Sequence, residues 1–133
     1  MALLIDTSVF VAVERAGGDP SDLLEKVGAE RVGLSAITAS ELLHGVHRAD
    51  SAVRRDRREK FVEKILATLP IIPFTLEIAR IHSRIWADLQ AKGEVIGAHD
   101  LLIAATALRY DRSVATRNVR HFERIPGLKV VVW

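Results

Sequence analysis

The sequence predicts an α/β domain built on a parallel sheet with helices on both faces. Two observations predict it. Short apolar runs at residues 3–5, 31–35, 113–116 and 129–132 alternate with longer stretches of helical periodicity, the order that builds strand–helix–strand crossovers. The runs are continuously apolar at their centres, as strands buried on two faces are, with polar residues such as Arg31, Ser35, Ser113, Thr116 and Lys129 only at their ends. No internal repeat, linker or low-complexity stretch interrupts the 133 residues, which are expected to form a single domain.

Leu3, Leu4 and Ile5 make the first strand. A helix over residues 8–16 follows, with Thr7 or Ser8 at its cap and Gly17-Gly18 to end it. Asp19-Pro20-Ser21-Asp22 caps a short helix over 23–27, and 31–35 is the second strand. The helix over 36–48 turns Ile37, Leu42 and Val46 inward. Asp50-Ser51 caps a strongly charged helix that runs to about Leu69. Ile71-Ile72-Pro73-Phe74 is short and holds a proline, so it belongs at a sheet edge. Thr75 caps an amphipathic helix with Ile78, Ile81, Ile85 and Leu89 on one face, ended by Gly93. Residues 101–108 are apolar nearly all round, which predicts a helix buried in the middle of the molecule. Residues 113–116 and 129–132 are the last strands.

Composition excludes several classes. No apolar run approaches the roughly 18 residues that a membrane span needs. Met1-Ala2-Leu3-Leu4-Ile5 is apolar, but it has no basic segment and meets Asp6 at once, so it reads as a strand and not as a secretion signal. With no cysteine there is no disulfide and no thiolate metal site, which suits a reducing cytosol and predicts a cytoplasmic protein. The formal charge is +2. That balance neither demands nor excludes a nucleic-acid partner.

Four polar side chains stand where apolar runs stop: Asp6, Glu41, Asp100 and Asn118. Asp6 and Asn118 fall just past strands, where ligands of open α/β sheets collect. Asp100 starts a helix expected to run back from that edge, and Glu41 lies one or two turns into the helix after the second strand. If the three acids meet, each like-charge pair costs about 4 kcal/mol at ~4 Å and an effective dielectric near 20. Such a cluster must hold a cation or take up protons. All-oxygen ligands favour Mg²⁺ or Mn²⁺ over zinc, and a carboxylate-held Mg²⁺ supports phosphodiester hydrolysis. Each residue also has a structural reading. Asp6 caps a helix, Glu41 completes a capping box with Thr38, Asp100 complements a helix dipole, and Asn118 forms a turn.

Four stretches bear on that choice: Leu4-Ile5-Asp6-Thr7-Ser8-Val9-Phe10, Ile37-Thr38-Ala39-Ser40-Glu41-Leu42-Leu43-His44-Gly45, the segment from Gly97 through Asp100 to Ala107, and Ala115-Thr116-Arg117-Asn118-Val119-Arg120-His121-Phe122. Together they resemble the PIN-domain ribonucleases, and within them the VapC-type toxins of bacterial toxin–antitoxin modules. The resemblance runs the length of the chain. It implies a three-layer α/β/α sandwich with a mainly parallel sheet, and a Mg²⁺- or Mn²⁺-dependent endoribonuclease. Carried over by position, Asp6, Glu41 and Asp100 are the acidic metal ligands. Asn118 is the fourth position, a neutral amide with one weaker oxygen ligand. Thr7, Ser8 and Thr116 match small hydroxyls that steady the carboxylates or the water. The resemblance also implies an RNA substrate, a small VapB-type antitoxin that sends a basic side chain among the carboxylates, and a homodimer. The helix from Thr75 to Gly93 is the candidate dimer surface. The helices around Leu43, Phe61 and Ile65 are the candidate antitoxin clamp.

Residues 51–64 carry six basic side chains against three acidic ones, an excess of three. Arg54, Arg55, Arg57 and Arg58 are candidate RNA-backbone contacts, or else members of a solvated helix with pairs such as Asp56–Lys60 and Arg55–Glu59. His44 follows Glu41 by one turn and suits orientation or phosphate contact. His99 and His121 read as surface or helix-end residues, and Trp86 and Trp133 as packing or interface residues. Three rival functions are weighed. A phosphotransfer domain with Asp6 as nucleophile fits poorly, since a dehalogenase loop wants an aspartate where Ser8 stands, and a receiver wants a lysine near Arg117. A non-catalytic RNA- or protein-binding domain does not need all three acids. A housekeeping RNA-processing nuclease shares the chemistry and differs only in partner and target.

Overall fold

The structure, a computed structural model, describes residues 2–28 and 31–133, so Met1 of the expected N-terminal run lies outside the described residues. Among these residues five strands, β1 (Leu3–Ile5), β2 (Val32–Ser35), β3 (Ile71–Ile72), β4 (Ser113–Thr116) and β5 (Val130–Val132), form one sheet in the order β3-β2-β1-β4-β5. Every pairing is parallel, with Leu3 opposite both Val32 and Ser113 and Ile5 opposite Ala115. The proline-bearing segment supplies β3 at one edge, as its missing N–H requires. The chain runs outward from β1 to β3, then crosses back to lay β4 against the other side of β1. That reversal is a topological switch point. The carboxyl ends of β1 and β4 therefore open a crevice between them.

Among the described residues, seven helices cover the sheet: α1 (Thr7–Arg15), α2 (Ser21–Val27), α3 (Ala36–His47), α4 (Ala52–Thr68), α5 (Leu76–Ala91), α6 (Ala98–Arg109) and the single turn α7 (Val119–Phe122). Side chains of successive strand residues point to opposite faces, which divides the core in two. Leu3, Ile5, Val32, Leu34 and Ala115 pack with α1, α2, α3 and α4. Leu4 and Val114 pack on the other face with α5, α6 and Phe122 of α7. Each fully buried Leu, Ile or Phe contributes about 1.5–3 kcal/mol of transfer free energy. Within α6, Ile103, Ala104, Ala105 and Ala107 are wholly buried, as an all-round apolar helix must be.

Local chemistry sets the ends. Ser51 and Thr75 accept backbone N–H bonds from Arg54 and Ile78 and so cap α4 and α5. Gly93, at φ +71°, closes the turn after α5. Four helix starts differ from expectation, and the first is α2, which begins at Ser21, two residues before the expected 23. Helix α1 begins at Thr7, so Asp6, and neither Thr7 nor Ser8, occupies the cap position, and its side chain makes no cap bond. Helix α3 is capped by the Ser35 hydroxyl, which accepts from the Thr38 N–H, so Thr38 is not the cap of a box with Glu41. Helix α6 begins at Ala98 after Gly97, which puts Asp100 within its first turn. Ile65 is fully buried in the first core and is not a surface residue of the α3–α4 pair. Trp133 packs against that same core, and Trp86 is half exposed beside the ring of His82. No helix among the described residues is long and apolar enough to cross a membrane.

Candidate active site

Asp6 leaves β1 at the switch point and is 96% buried, since only 4% of its surface reaches solvent. A buried carboxylate must be hydrogen-bonded or paired. Two hydroxyls meet that need on a single oxygen: Ser8 Oγ donates to Asp6 Oδ2 at 2.7 Å and Thr116 Oγ1 donates to it at 2.8 Å. Each hydroxyl owns one proton and gives it to Asp6, so their own 3.2 Å approach is a contact and not a further bond. Their lone pairs are used as well. Ser8 Oγ accepts the Arg117 N–H at 3.0 Å, and Thr116 Oγ1 accepts the Asn118 N–H at 2.9 Å. The start of α1 is thus stitched to the end of β4, and Asp6 Oδ1 is left to face the cavity.

Glu41 is half-buried on α3. Its Oε1 accepts the Thr7 hydroxyl at 2.7 Å, and Oε2 stands 3.5 Å from Nδ1 of His99. Asp100, half-buried in the first turn of α6, has Oδ2 at 2.8 Å from Nδ1 of His121. Burial raises the Asp100 carboxyl above its ordinary pKa, and the charge of Asp6 raises it further. The hydrogen bond and charge of His121 act in the opposite sense, and Glu41 adds a smaller upward push. Asn118 is exposed at the head of α7, with no cap bond from its side chain.

These four side chains open on one cavity of about 720 Å³, together with Thr7, Ser8, His99 and His121. Thr116 lies just beneath it, fully buried. The structure therefore brings together Asp6, Glu41, Asp100, Asn118, Thr7, Ser8 and Thr116. It does not bring the α4 arginines with them. Arg54 pairs with Asp50 at 3.0 Å, Arg55 donates to the Ala49 carbonyl, Arg58 pairs with Glu14 and donates to the Gly45 carbonyl, and Arg57 is exposed. Arg58 alone of the four lines a groove of about 590 Å³ between α1, α3 and α4, beside Phe10, Leu42 and Phe61. That groove shares Thr7, Arg15, Glu41 and His99 with the acid-lined cavity.

Sequence reasoning missed the two histidines. Both are exposed, as expected, yet each meets one of the acids. His121 had a signal: it follows Asn118 by three residues, so on one helical turn the two share a face. His99 precedes Asp100, and nothing in that adjacency points across to Glu41.

Chemically, the site is an oxygen-rich donor set in which Asp6 and Glu41 both raise Asp100, and such a set suits a hard divalent cation. Among the described residues no three carboxylates or imidazoles are arranged to hold a metal ion as they stand. Thr7 engages Glu41 Oε1 and His121 engages Asp100 Oδ2, one oxygen of each carboxylate.

Residues 3–128 match the PIN domain family model. The chain is 38% identical to ribonuclease VapC1 of Rickettsia felis, over 98% of this chain and 96% of that one. Its fold superposes on the DNA-bound VapBC structure from Salmonella typhimurium with a TM-score of 0.89 at 26% identity, covering 100% of this chain and 98% of that one. VapBC-5 of Mycobacterium tuberculosis, a member of the VapBC family of toxin–antitoxin systems, gives 0.75 at 27% identity over 99% and 98%. The acids at the switch point and the likeness along the whole chain agree: this chain belongs to the PIN-domain family, among the VapC ribonucleases.

Proposed function

We propose that this chain is a Mg²⁺- or Mn²⁺-dependent endoribonuclease, a toxin restrained by a small VapB-type antitoxin. The observation that carries the reading is the convergence of Asp6, Glu41, Asp100 and Asn118, from four separate segments, on one cavity. A bound Mg²⁺ or Mn²⁺ there would act as a Lewis acid on a phosphoryl oxygen and would lower the pKa of a water. Asp6 Oδ1, Glu41 and Asp100 would hold the cation, and Asn118 would add an uncharged oxygen. Ser8 and Thr116, by occupying Asp6 Oδ2, leave that carboxylate one free oxygen in one orientation. Thr7 likewise holds Glu41 Oε1, while Oε2 stands beside His99. Water attack on phosphorus with cleavage of the P–O3′ bond would leave a 5′-phosphate and, once the departing oxygen takes up a proton, a 3′-hydroxyl.

The α1–α3–α4 groove supports the antitoxin as partner. It is apolar at Phe10, Leu42 and Phe61 and opens into the acid-lined cavity, so an amphipathic segment seated there could reach the acids with a basic side chain. Exposed Leu76 and Trp86 support α5 as the surface of a homodimer. Such a substrate and partner suit the cytoplasm. The test is cleavage of RNA by the purified chain. EDTA should abolish it, Mg²⁺ or Mn²⁺ should restore it, and Asp6→Asn or Asp100→Asn should remove it. Cleavage by either variant at the wild-type rate would refute the site.

A further inference from the structure

Any RNA that reaches the acids must bring phosphates against carboxylates, so cations have to flank its path. The charged helix α4 is the obvious source by sequence, and the structure cancels it. Arg54 is paired with Asp50, Arg58 with Glu14 and Lys64 with Asp19, three acids from outside residues 51–64 that offset the local excess of three. Lys60 is paired with Asp56 within the helix. What remains is a helix laced by ion pairs, displaced from the acid-lined cavity.

Two other guanidinium groups line that cavity directly. Arg15 and Arg117 are both exposed, and both lie outside the basic stretch of α4. Thr7, Ser8, Val11, Ala12 and Arg15 form one face of α1, and all five line the cavity. Arg15 ends that stripe, about 10 Å along the helix axis from Ser8, and forms no ion pair with any described residue. Arg117 stands at the opposite end of the stripe, where its own N–H is bound to Ser8 Oγ. Its guanidinium lies at the cavity rim, 3.5 Å from the main-chain oxygen of Trp133. Asp6, at the cap of α1, lines the same cavity as both arginines, together with Glu41 and Asp100.

We infer that Arg15 and Arg117 grip the phosphates on either side of the cleaved bond, so that a single RNA strand runs along the α1 stripe and not along α4. This rests on the ribonuclease reading and adds the path of the substrate to it. Arginine suits the task because its planar fork binds a phosphate in two places.

The experiment measures binding of a labelled single-stranded RNA oligonucleotide to the intact chain in EDTA, over a series of salt concentrations. Each of Arg15→Gln and Arg117→Gln should weaken binding about tenfold and flatten the log affinity–log salt slope by about 0.7. Lysine at either position should restore the slope and part of the affinity. Arg54→Gln and Arg57→Gln should change neither. With Mg²⁺ present, the Arg15 and Arg117 variants should raise KM and leave kcat nearly unchanged. Slopes that flatten in the α4 variants and not in these two would overturn the path, as would cleavage by the double variant at wild-type KM, which leaves the nuclease standing. RNA held through Arg15 and Arg117 but never cut with Mg²⁺ or Mn²⁺ would keep the path and remove the nuclease. Failure of the wild-type chain to bind RNA would overturn the inference outright.

Discussion

Thr7 and Glu41, 34 positions apart in the chain, are joined by a 2.7 Å hydrogen bond in which the Thr7 hydroxyl donates to Oε1. The first residue of α1 thereby sets the orientation of the acid on α3. Thr7→Val keeps the shape and removes the donor. It should lower RNA cleavage about tenfold and stability by about 1 kcal/mol, the usual size of one lost hydrogen bond to a charged group or a little less. Thr7→Ser should recover most of both. Wild-type cleavage by Thr7→Val would mean that Glu41 is oriented by His99 or by the cation alone.

Asp100 is held above its ordinary pKa by burial and by Asp6. A carboxyl raised in the folded state binds its proton more tightly there than in the unfolded chain. Stability therefore falls as pH rises through the unfolded and then the folded pKa, and the burden is complete above both. Asp100→Asn removes it. At pH 7, without divalent metal, this variant should melt at or slightly above wild type, and the difference should close below about pH 3, where the unfolded carboxylate is itself protonated. Added Mg²⁺ should stabilise wild type more than the variant. A loss of several kcal/mol in Asp100→Asn would instead mean that the carboxylate holds the backbone of α6 in place.

Asn118 faces the cavity from an exposed position and adds no charge. Asn118→Ala should therefore cut activity less than Asp6→Asn does. Asn118→Asp should keep activity and shift the Mg²⁺ requirement to lower concentration, since a fourth carboxylate strengthens the ligand field. Titrating activity against Mg²⁺ separates the two effects. Equal and complete loss in Asn118→Ala and Asp6→Asn would make the amide indispensable.

Much of this was legible because chain order dictates it. Continuous apolar strands announced a doubly covered parallel sheet, and the positions of Asp6 and Asn118 just past β1 and β4 put them at its carboxyl edge. The partners of the acids were not legible. Thr7 with Glu41 and His121 with Asp100 are contacts between segments 34 and 21 residues apart, and they depend on how α1, α3, α6 and α7 pack. The surroundings of the α4 arginines were only partly legible. Glu14, the counter-charge of Arg58, lies on α1, 44 positions away, while Asp50 is one turn from Arg54 and stands just outside residues 51–64. Arg15 and Arg117 show the converse: isolated in sequence, they share one cavity.

Expression of this chain alone should arrest growth, and co-expression with the product of a neighbouring reading frame should relieve it. The groove between α1, α3 and α4 shares Glu41 and His99 with the acid-lined cavity, so an occupant of one obstructs the other. Phe61 is half-buried in that groove and packs against the first core. Phe61→Glu should weaken the antitoxin by placing a charge in its apolar seat, at some cost in stability. The control is that the isolated variant still cuts RNA. Toxicity should require Asp6, vanish with the partner and return for Phe61→Glu in the partner's presence. If the soluble chain cuts RNA in vitro and its expression is harmless without any partner, it is a housekeeping nuclease and not a toxin.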